Sequence, residues 1–172
     1  MKRTPGRLAQ RRWWTDVRRV AAVVVAVVGC VPPLAAQGKP LTATGSRALA
    51  IGPVFPGVAT TVLRTDATRS GTFDVRGTKS LEVRFDFTLP GAMTTLAGQA
   101  MPMAFDATSG GWATTATIGA ATAFDPRVPL LARLSGTGRL YIWLGGTVVP
   151  SSAQAAGAYS ATITLTLAYT GN

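Results

Sequence analysis

The C-terminal stretch of the chain, residues 159–170, alternates apolar side chains with small, mostly hydroxyl-bearing ones. Side chains on a strand point alternately to opposite faces, so this period of two predicts a strand with one buried and one exposed face. Threonine suits the exposed face because β-branching favours extended backbone. The apolar set is Tyr159, Ala161, Ile163, Leu165, Leu167 and Tyr169. A strand of this kind needs a second layer to cover it, which restricts the chain to a layered β-fold.

The segments 80–88 and 138–149 show the same alternation. Weaker strand patterns lie near residues 48–51, 58–63, 71–76, 101–105, 113–118 and 130–134. Gly110-Gly111 indicates a loop, and Gly145-Gly146 indicates a bulge or a close backbone approach. No helical period is found after residue 40. About seven to nine short strands separated by turn residues predict an all-β fold, an antiparallel β-sandwich over residues 48–172 that follows an extended segment, residues 37–47.

The first 36 residues have the three parts of a secretory signal peptide. A basic region precedes the uncharged apolar run Val20–Val28, and Leu34-Ala35-Ala36 places small residues before Gln37. The apolar run is much shorter than the roughly 20 residues that a membrane-spanning helix needs. We therefore expect a signal-peptide helix within residues 1–36 and cleavage between Ala36 and Gln37. The protein is then secreted, to the periplasm, the outer surface or the extracellular medium.

Three other interpretations of this leader stay open. Val27-Val28-Gly29-Cys30 fits a bacterial lipobox, in which Cys30 becomes the lipidated first residue of a lipoprotein. An uncleaved membrane anchor is the second, and a twin-arginine signal at Arg11-Arg12 is the third. Unless Cys30 is lipidated, the signal peptide is expected to contact the membrane only transiently. Cys30 is the single cysteine, so a chain cleaved after Ala36 has no disulfide.

The basic character of the chain belongs mostly to the leader. The chain has 17 Lys and Arg and 7 Asp and Glu residues, a formal net charge of +10. The leader holds 7 of the basic residues and 1 of the acidic residues, which leaves 10 and 6 in the remainder, a net charge of +4. Those basic residues are scattered singly, whereas nucleic-acid binding requires a basic patch with reading elements. We expect no nucleic-acid partner.

The sequence predicts no catalytic residues, no cofactor and no metal site. It contains no histidine, which excludes a Ser-His relay. Glu82 and Asp86 share a strand face, but at about 3.3 Å per residue they lie about 13 Å apart along the backbone. The paired carboxylates of a glycosidase lie roughly 5–9.5 Å apart. We therefore expect the protein not to be an enzyme.

One face of the segment 138–149 is the candidate partner or ligand face. If Leu140, Ile142 and Leu144 point to the core, the side chains of Arg139, Tyr141 and Trp143 share the opposite face. Exposed aromatic side chains stack on sugars or anchor a protein partner. The alternative is a strand that is apolar on both faces because a loop or an N-terminal segment covers it.

The C-terminal third resembles a bacterial secreted domain family of unknown function. The residues that carry the resemblance are Leu140-Tyr-Ile-Trp-Leu-Gly-Gly-Thr-Val-Val, a short Ala/Ser/Gln loop, and the final strand from Gly157-Ala-Tyr159 to Tyr169. That family is similar to spore coat protein U and to subunits of non-classical chaperone–usher pili. The resemblance implies an immunoglobulin-like or pilin-like β-sandwich without known catalysis. Two features depart from pilus subunits. No disulfide forms after cleavage, and Gln37–Gly45 contains only two alternating apolar residues, Leu41 and Ala43, whereas the donor strand of a pilus subunit has a longer alternating run.

These observations predict an exported, non-catalytic structural or adhesive module of the bacterial cell surface, in the manner of a pilin-like subunit. Its expected partners are other copies of itself or other surface subunits, joined by pairing of sheet edges. The alternative is a soluble or lipid-anchored β-sandwich that binds glycans or another ligand through Arg139, Tyr141 and Trp143.

Overall fold

The computed structural model describes residues 22–27 and 38–171. In this part of the chain there are thirteen strands and one short 3₁₀ helix, Ile118–Ala120. In chain order, the strands are β1 (Ala22–Val27), β2 (Thr42–Arg47), β3 (Thr60–Val62), β4 (Gly71–Arg76), β5 (Glu82–Thr88), β6 (Ala92–Thr94), β7 (Ala100–Ala104), β8 (Gly110–Ala113), β9 (Thr122–Phe124), β10 (Leu130–Arg133), β11 (Arg139–Leu144), β12 (Gly146–Val148) and β13 (Ser160–Tyr169).

The strands form two sheets around one apolar core. One sheet has the order β10-β5-β13-β6-β7-β12-β3, with β1 added on β13, and the other has the order β2-β4-β11-β8-β9. Every pairing except β1 with β13 is antiparallel. The prediction of an all-β antiparallel sandwich is confirmed. The described strands outnumber those predicted partly because the segment 138–149 is divided between the two sheets.

The apolar faces predicted from alternation form the centre of the core. On β13, Ile163 and Leu165 are buried, whereas Thr162 and Thr166 on either side of them are exposed and Thr164 between them is half-buried. The inward side chains of β11 are fully buried as well, namely Leu140, Ile142 and Leu144. Burial of each such side chain stabilises the fold by about 1.5–3 kcal/mol, so the two strands supply much of the apolar driving force.

The chain crosses from one sheet to the other at Gly145, between β11 and β12. A Cβ atom on Gly145 would collide with the carbonyl oxygen of Val62 and would lie 2.6 Å from the backbone nitrogen of Arg64. The N–H of Gly145 donates a hydrogen bond of 2.8 Å to the carbonyl of Ser109. The close backbone approach predicted here is confirmed, and it explains how one segment serves both sheets.

The prediction of a helix in the leader is wrong for Ala22–Val27, which form strand β1. Two causes favour the strand. Valine, which is β-branched, dominates this run, and among the described strands no other one occupies this edge of β13. The predicted cleavage site, Ala36 and Gln37, and the candidate lipidation site, Cys30, lie outside the described residues.

The segment 37–47, expected to be extended, contributes a strand to the sandwich. Its residues Thr42–Arg47 form β2, which pairs antiparallel with β4 and has an irregularity in register after Gly45. Leu41 and Ala43 pack against the core from this side. In the described part of the chain, no helix has the length and apolar character needed to cross a membrane.

Candidate functional site

The edge of β13 that carries β1 is the first candidate site. Ser160–Leu165 pair in parallel with Ala22–Val27, one residue to one residue, and the antiparallel partner β5 pairs with Thr164–Tyr169. Because Thr164 and Leu165 have partners in both strands, β1 and β5 lie on opposite edges of β13. Ser160 likewise pairs with Ala22 and, in β6, with Thr94. We call the edge formed by Ser160–Leu165 the β1 edge.

The β1 edge has no other strand partner within residues 22–27 and 38–171. A strand edge without a partner presents a row of N–H and C=O groups that can pair with another chain. The side chains behind this edge are in the core, since Ile163 and Leu165 are buried. Sequence reasoning missed this pairing; the β-branched valines of residues 22–27 are the signal that would have indicated a strand.

The second candidate site is the aromatic ladder, formed by Arg139, Tyr141 and Trp143 on the outer face of β11. The rings of Tyr141 and Trp143 are stacked, with centroids 6.3 Å apart and an interplanar angle of 26°. The guanidinium carbon of Arg139 lies 5.7 Å from the centroid of the Tyr141 ring. The structure therefore brings together the three side chains that the alternation placed on one face.

The aromatic ladder is covered at its Trp143 end. Trp143 is only 6% exposed, whereas Arg139 and Tyr141 are half-buried. A cleft of about 340 Å³ lies beside the rings, and its lining includes Arg47 and Ile118. Arg139 and Trp143 flank Tyr141 along the strand and lie against its ring, so the ladder offers little free ring face for stacking on a sugar.

Asp74 contacts the aromatic ladder at its Arg139 end. It lies on β4, directly opposite Tyr141. Its Oδ2 atom accepts hydrogen bonds from Arg76 at 2.9 Å and from Arg139 at 3.4 Å. Its Oδ1 atom is buried and has no hydrogen-bond partner among the described residues. Sequence reasoning missed this contact, because neither segment alone determines which residues of β4 and β11 lie opposite each other.

Two acidic side chains in loops bind the backbone of their own turns. Asp66 accepts hydrogen bonds of 2.9 Å from the backbone N–H groups of Thr68 and Arg69 and forms an ion pair of 2.7 Å with Arg69. The Thr68 N–H first, and then these other donors, hold the pKa of Asp66 well below its usual range. The Thr108 hydroxyl and N–H similarly lower the pKa of Asp106. These carboxylates stabilise loops.

Of the three remaining acids, two pair with an arginine close in sequence and one contacts a residue far away in sequence. Asp125 forms an ion pair of 2.7 Å with Arg127, whose side chain is the main cause of the lowered pKa of Asp125. On β5, Arg84 forms an ion pair of 2.8 Å with Asp86, and Glu82 accepts a hydrogen bond from a C-terminal threonine hydroxyl. Within the part of the chain that the structure describes, no three His, Cys, Asp or Glu side chains form a group able to hold a metal ion.

The comparisons with known proteins give one family. No curated protein matches the sequence significantly. A family model described as a domain of unknown function, DUF4402, matches residues 34–169, a range that contains every strand from β2 to β13. Since this range is well over half of the chain, the chain belongs to the DUF4402 family.

Proposed function

We propose that the protein is an exported, non-catalytic structural module of the bacterial surface that assembles by accepting a β-strand at the β1 edge. One observation carries this proposal: the edge is filled by residues 22–27, which belong to the segment whose sequence predicts a removable leader. Removal of the leader exposes the edge to an incoming strand. The resemblance to spore coat protein U and to non-classical chaperone–usher pilus subunits agrees with this mode of assembly.

The β1 edge has the properties that strand addition requires. The pairing covers six consecutive residues, and in this binding mode the main-chain hydrogen bonds provide the affinity. The strand behind the edge is fixed, because β5 pairs with β13 on the opposite side and the inward side chains of β13 are in the core. A fixed acceptor loses little conformational entropy when a strand binds.

The incoming strand is expected to come from another protein. The segment 37–47, which would be the N-terminal arm after cleavage, is already paired, because Thr42–Arg47 form β2 on β4. Leu41 and Ala43 of this segment also pack against the core. To donate this arm to a neighbour, the chain would have to give up an edge strand of its own five-stranded sheet.

A peptide-binding experiment tests the proposal. The protein is recovered without its leader from cells that express the full chain, and it is titrated with a synthetic peptide of residues 20–29 that carries a lysine tail for solubility. We expect saturable one-to-one binding and slower amide hydrogen exchange at the alternate residues of Ser160–Leu165 whose N–H groups point to the added strand. Absence of binding, or binding without protection of these amides, would contradict the proposal.

Two N-methylated peptides serve as matched controls. One is methylated at Val23, Val25 and Val27, and the other at Ala22, Val24 and Ala26. Alternate N–H groups of a strand point to the same edge, so only one of these sets faces β13. We expect one peptide to lose at least tenfold in affinity and the other to bind as the parent does. Equal binding of both would show that the peptide does not pair as a strand.

The alternative function, a glycan- or ligand-binding sandwich that uses the aromatic ladder, has weaker support. Trp143 is 6% exposed, and Tyr141 lies between Arg139 and Trp143. On this face of the described structure, neither ring is open for a sugar to stack on. A glycan array in which Trp143→Ala abolishes binding without unfolding the protein would favour the alternative over assembly.

A further inference from the structure

We propose that a basic cleft at one end of the sandwich binds the carboxylate or sulfate groups of an anionic polysaccharide. The basic cleft has a volume of about 310 Å³. Three cationic side chains line it, those of Lys39, Arg76 and Arg139, together with the hydroxyl-bearing residues Thr42 and Thr137. No residue of the β1 edge lines this cleft, and the inference does not depend on strand assembly.

The basic cleft concentrates positive charge that is balanced by few acids. Asp74 is the carboxylate paired with both arginines, at 2.9 Å from Arg76 and 3.4 Å from Arg139. One negative charge therefore neutralises only one of the two guanidinium charges, and Lys39 adds a third cation to the lining. Elsewhere in the described residues, ion pairs join one arginine to one aspartate. The surplus positive charge at the basic cleft is the feature that attracts an anion.

The guanidinium of Arg139 and the backbone at Lys39 are held in place before any ligand arrives. The guanidinium of Arg139 lies over the Tyr141 ring, with its carbon 5.7 Å from the ring centroid, and also contacts Asp74. The Tyr169 hydroxyl donates to the carbonyl oxygen of Lys39 at 2.9 Å and accepts from the N–H of Thr78 at 2.7 Å. These contacts fix both walls of the basic cleft, which lowers the entropic cost of binding.

A tight backbone contact closes the floor of the basic cleft. Gly138 has φ +76°, and a Cβ there would collide with the carbonyl oxygen of Gly77. The N–H of Gly77 donates a hydrogen bond of 2.9 Å to the Gly138 carbonyl. Both glycines line the basic cleft, so backbone forms part of its lining, and protein atoms fill the space that a Cβ at either position would take.

The lining favours a polysaccharide over a protein. Protein interfaces are anchored by buried tryptophan, tyrosine and arginine side chains. No aromatic side chain lines the basic cleft in the described structure, and the side chains of Arg76 and Arg139 are 61% and 39% exposed. The parallel N–H groups of an arginine guanidinium match the spacing of carboxylate and sulfate oxygens. The hydroxyls of Thr42 and Thr137 are suited to the sugar hydroxyls beside such a group.

The test uses the secreted protein purified from cells that express the full chain. Isothermal titration at low salt measures binding of polygalacturonate, which carries carboxylates, of dextran sulfate and of neutral dextran. We expect binding of at least one polyanion and none of dextran, with affinity falling as salt rises. If carboxylate recognition dominates, polygalacturonate binds tighter, and if sulfate recognition dominates, dextran sulfate does. Failure of both polyanions to bind would overturn the proposal.

Matched variants separate the basic cleft from diffuse surface charge. The double variant Arg76→Gln/Arg139→Gln removes two cleft charges, and Arg84→Gln/Arg127→Gln removes two aspartate-paired charges elsewhere. We expect the first to weaken binding at least tenfold and the second less than twofold. Lys39→Gln, at an exposed position, gives a second readout if the cleft double variant fails to fold. Equal losses in both double variants, or tighter binding of polyglutamate than of either polysaccharide, would overturn the proposal.

Discussion

Replacing Gly145 with alanine tests the crossing between the two sheets. A Cβ at this position would collide with the Val62 carbonyl oxygen, and it would lie 2.6 Å from the Arg64 nitrogen and 2.9 Å from the Leu63 carbonyl carbon. All three obstructing atoms belong to the backbone. No change of side-chain rotamer can therefore relieve the contact, and β3 or β12 has to move.

Insertion of an extra methyl group into a packed site costs about 1–3 kcal/mol when neighbours can adjust. Since the neighbours here are backbone atoms, we expect the upper end of that range, a loss of about 3 kcal/mol in the free energy of unfolding. For a domain of this size, each 1 kcal/mol corresponds to roughly 3–4 °C in Tm, so the Tm falls by about 10 °C. Thermal and urea denaturation followed by circular dichroism measure both quantities.

Gly91→Ala is the matched control, because a Cβ at Gly91 would have no atom within 4 Å and its φ is not positive. This substitution should leave stability unchanged or raise it by about 0.4–1 kcal/mol through the lower entropy of the unfolded chain. If Gly145→Ala unfolds within 2 °C of Gly91→Ala, the backbone of β3 does not approach Gly145 as described, and the reasoning fails.

Three further variants test other contacts. Trp143→Ala should lower the free energy of unfolding by about 3–5 kcal/mol, because a buried aromatic side chain is lost; a change below 1 kcal/mol in urea denaturation would place the ring in solvent. Tyr169→Phe removes the hydroxyl that binds Lys39 and Thr78 and should cost about 1–3 kcal/mol; an unchanged midpoint would mean that this hydroxyl contributes nothing. Folding lowers the pKa of the Asp106 carboxyl. The ionised carboxylate therefore stabilises the fold fully above the pKa that this group has in the unfolded chain, and this stabilisation is lost as the pH falls through its pKa in the folded protein. Asp106→Asn should therefore lose less stability than the parent between about pH 5 and pH 2 in acid denaturation, and identical acid profiles would refute this.

Alternation was enough to predict the strands that have one buried and one exposed face. On β13 and β11, every residue predicted to point inward is buried or packs against the core, because a period of two assigns each side chain to a face before any partner strand is known. The same rule grouped Arg139, Tyr141 and Trp143 on one face. It could not predict how much of that face other segments cover, since the loop around Ile118 belongs to a distant part of the chain.

The predictions that failed concern positions where tertiary contacts override local pattern. Gly110-Gly111, predicted as a loop, lies in β8, because the ring of Phe124 packs where a side chain at Gly110 would be. The Val-rich run of the leader, predicted as a helix, forms β1, since its sequence also suits a strand and an edge is available. Periodicity alone does not distinguish a short buried helix from a strand.

The pairing of β2 limits how assembly would proceed under the proposed function. A subunit that both accepts a strand and donates its own arm can extend a chain indefinitely, as in head-to-tail association. In this protein the arm is part of the five-stranded sheet, with Thr42–Arg47 paired to β4 and Leu41 packed against the core. The arm leaves that sheet only by breaking the whole β2–β4 pairing. The purified protein should therefore stay monomeric at high concentration and form one-to-one complexes with an added strand, and a ladder of oligomers in native mass spectrometry of the purified protein would show that the arm is released.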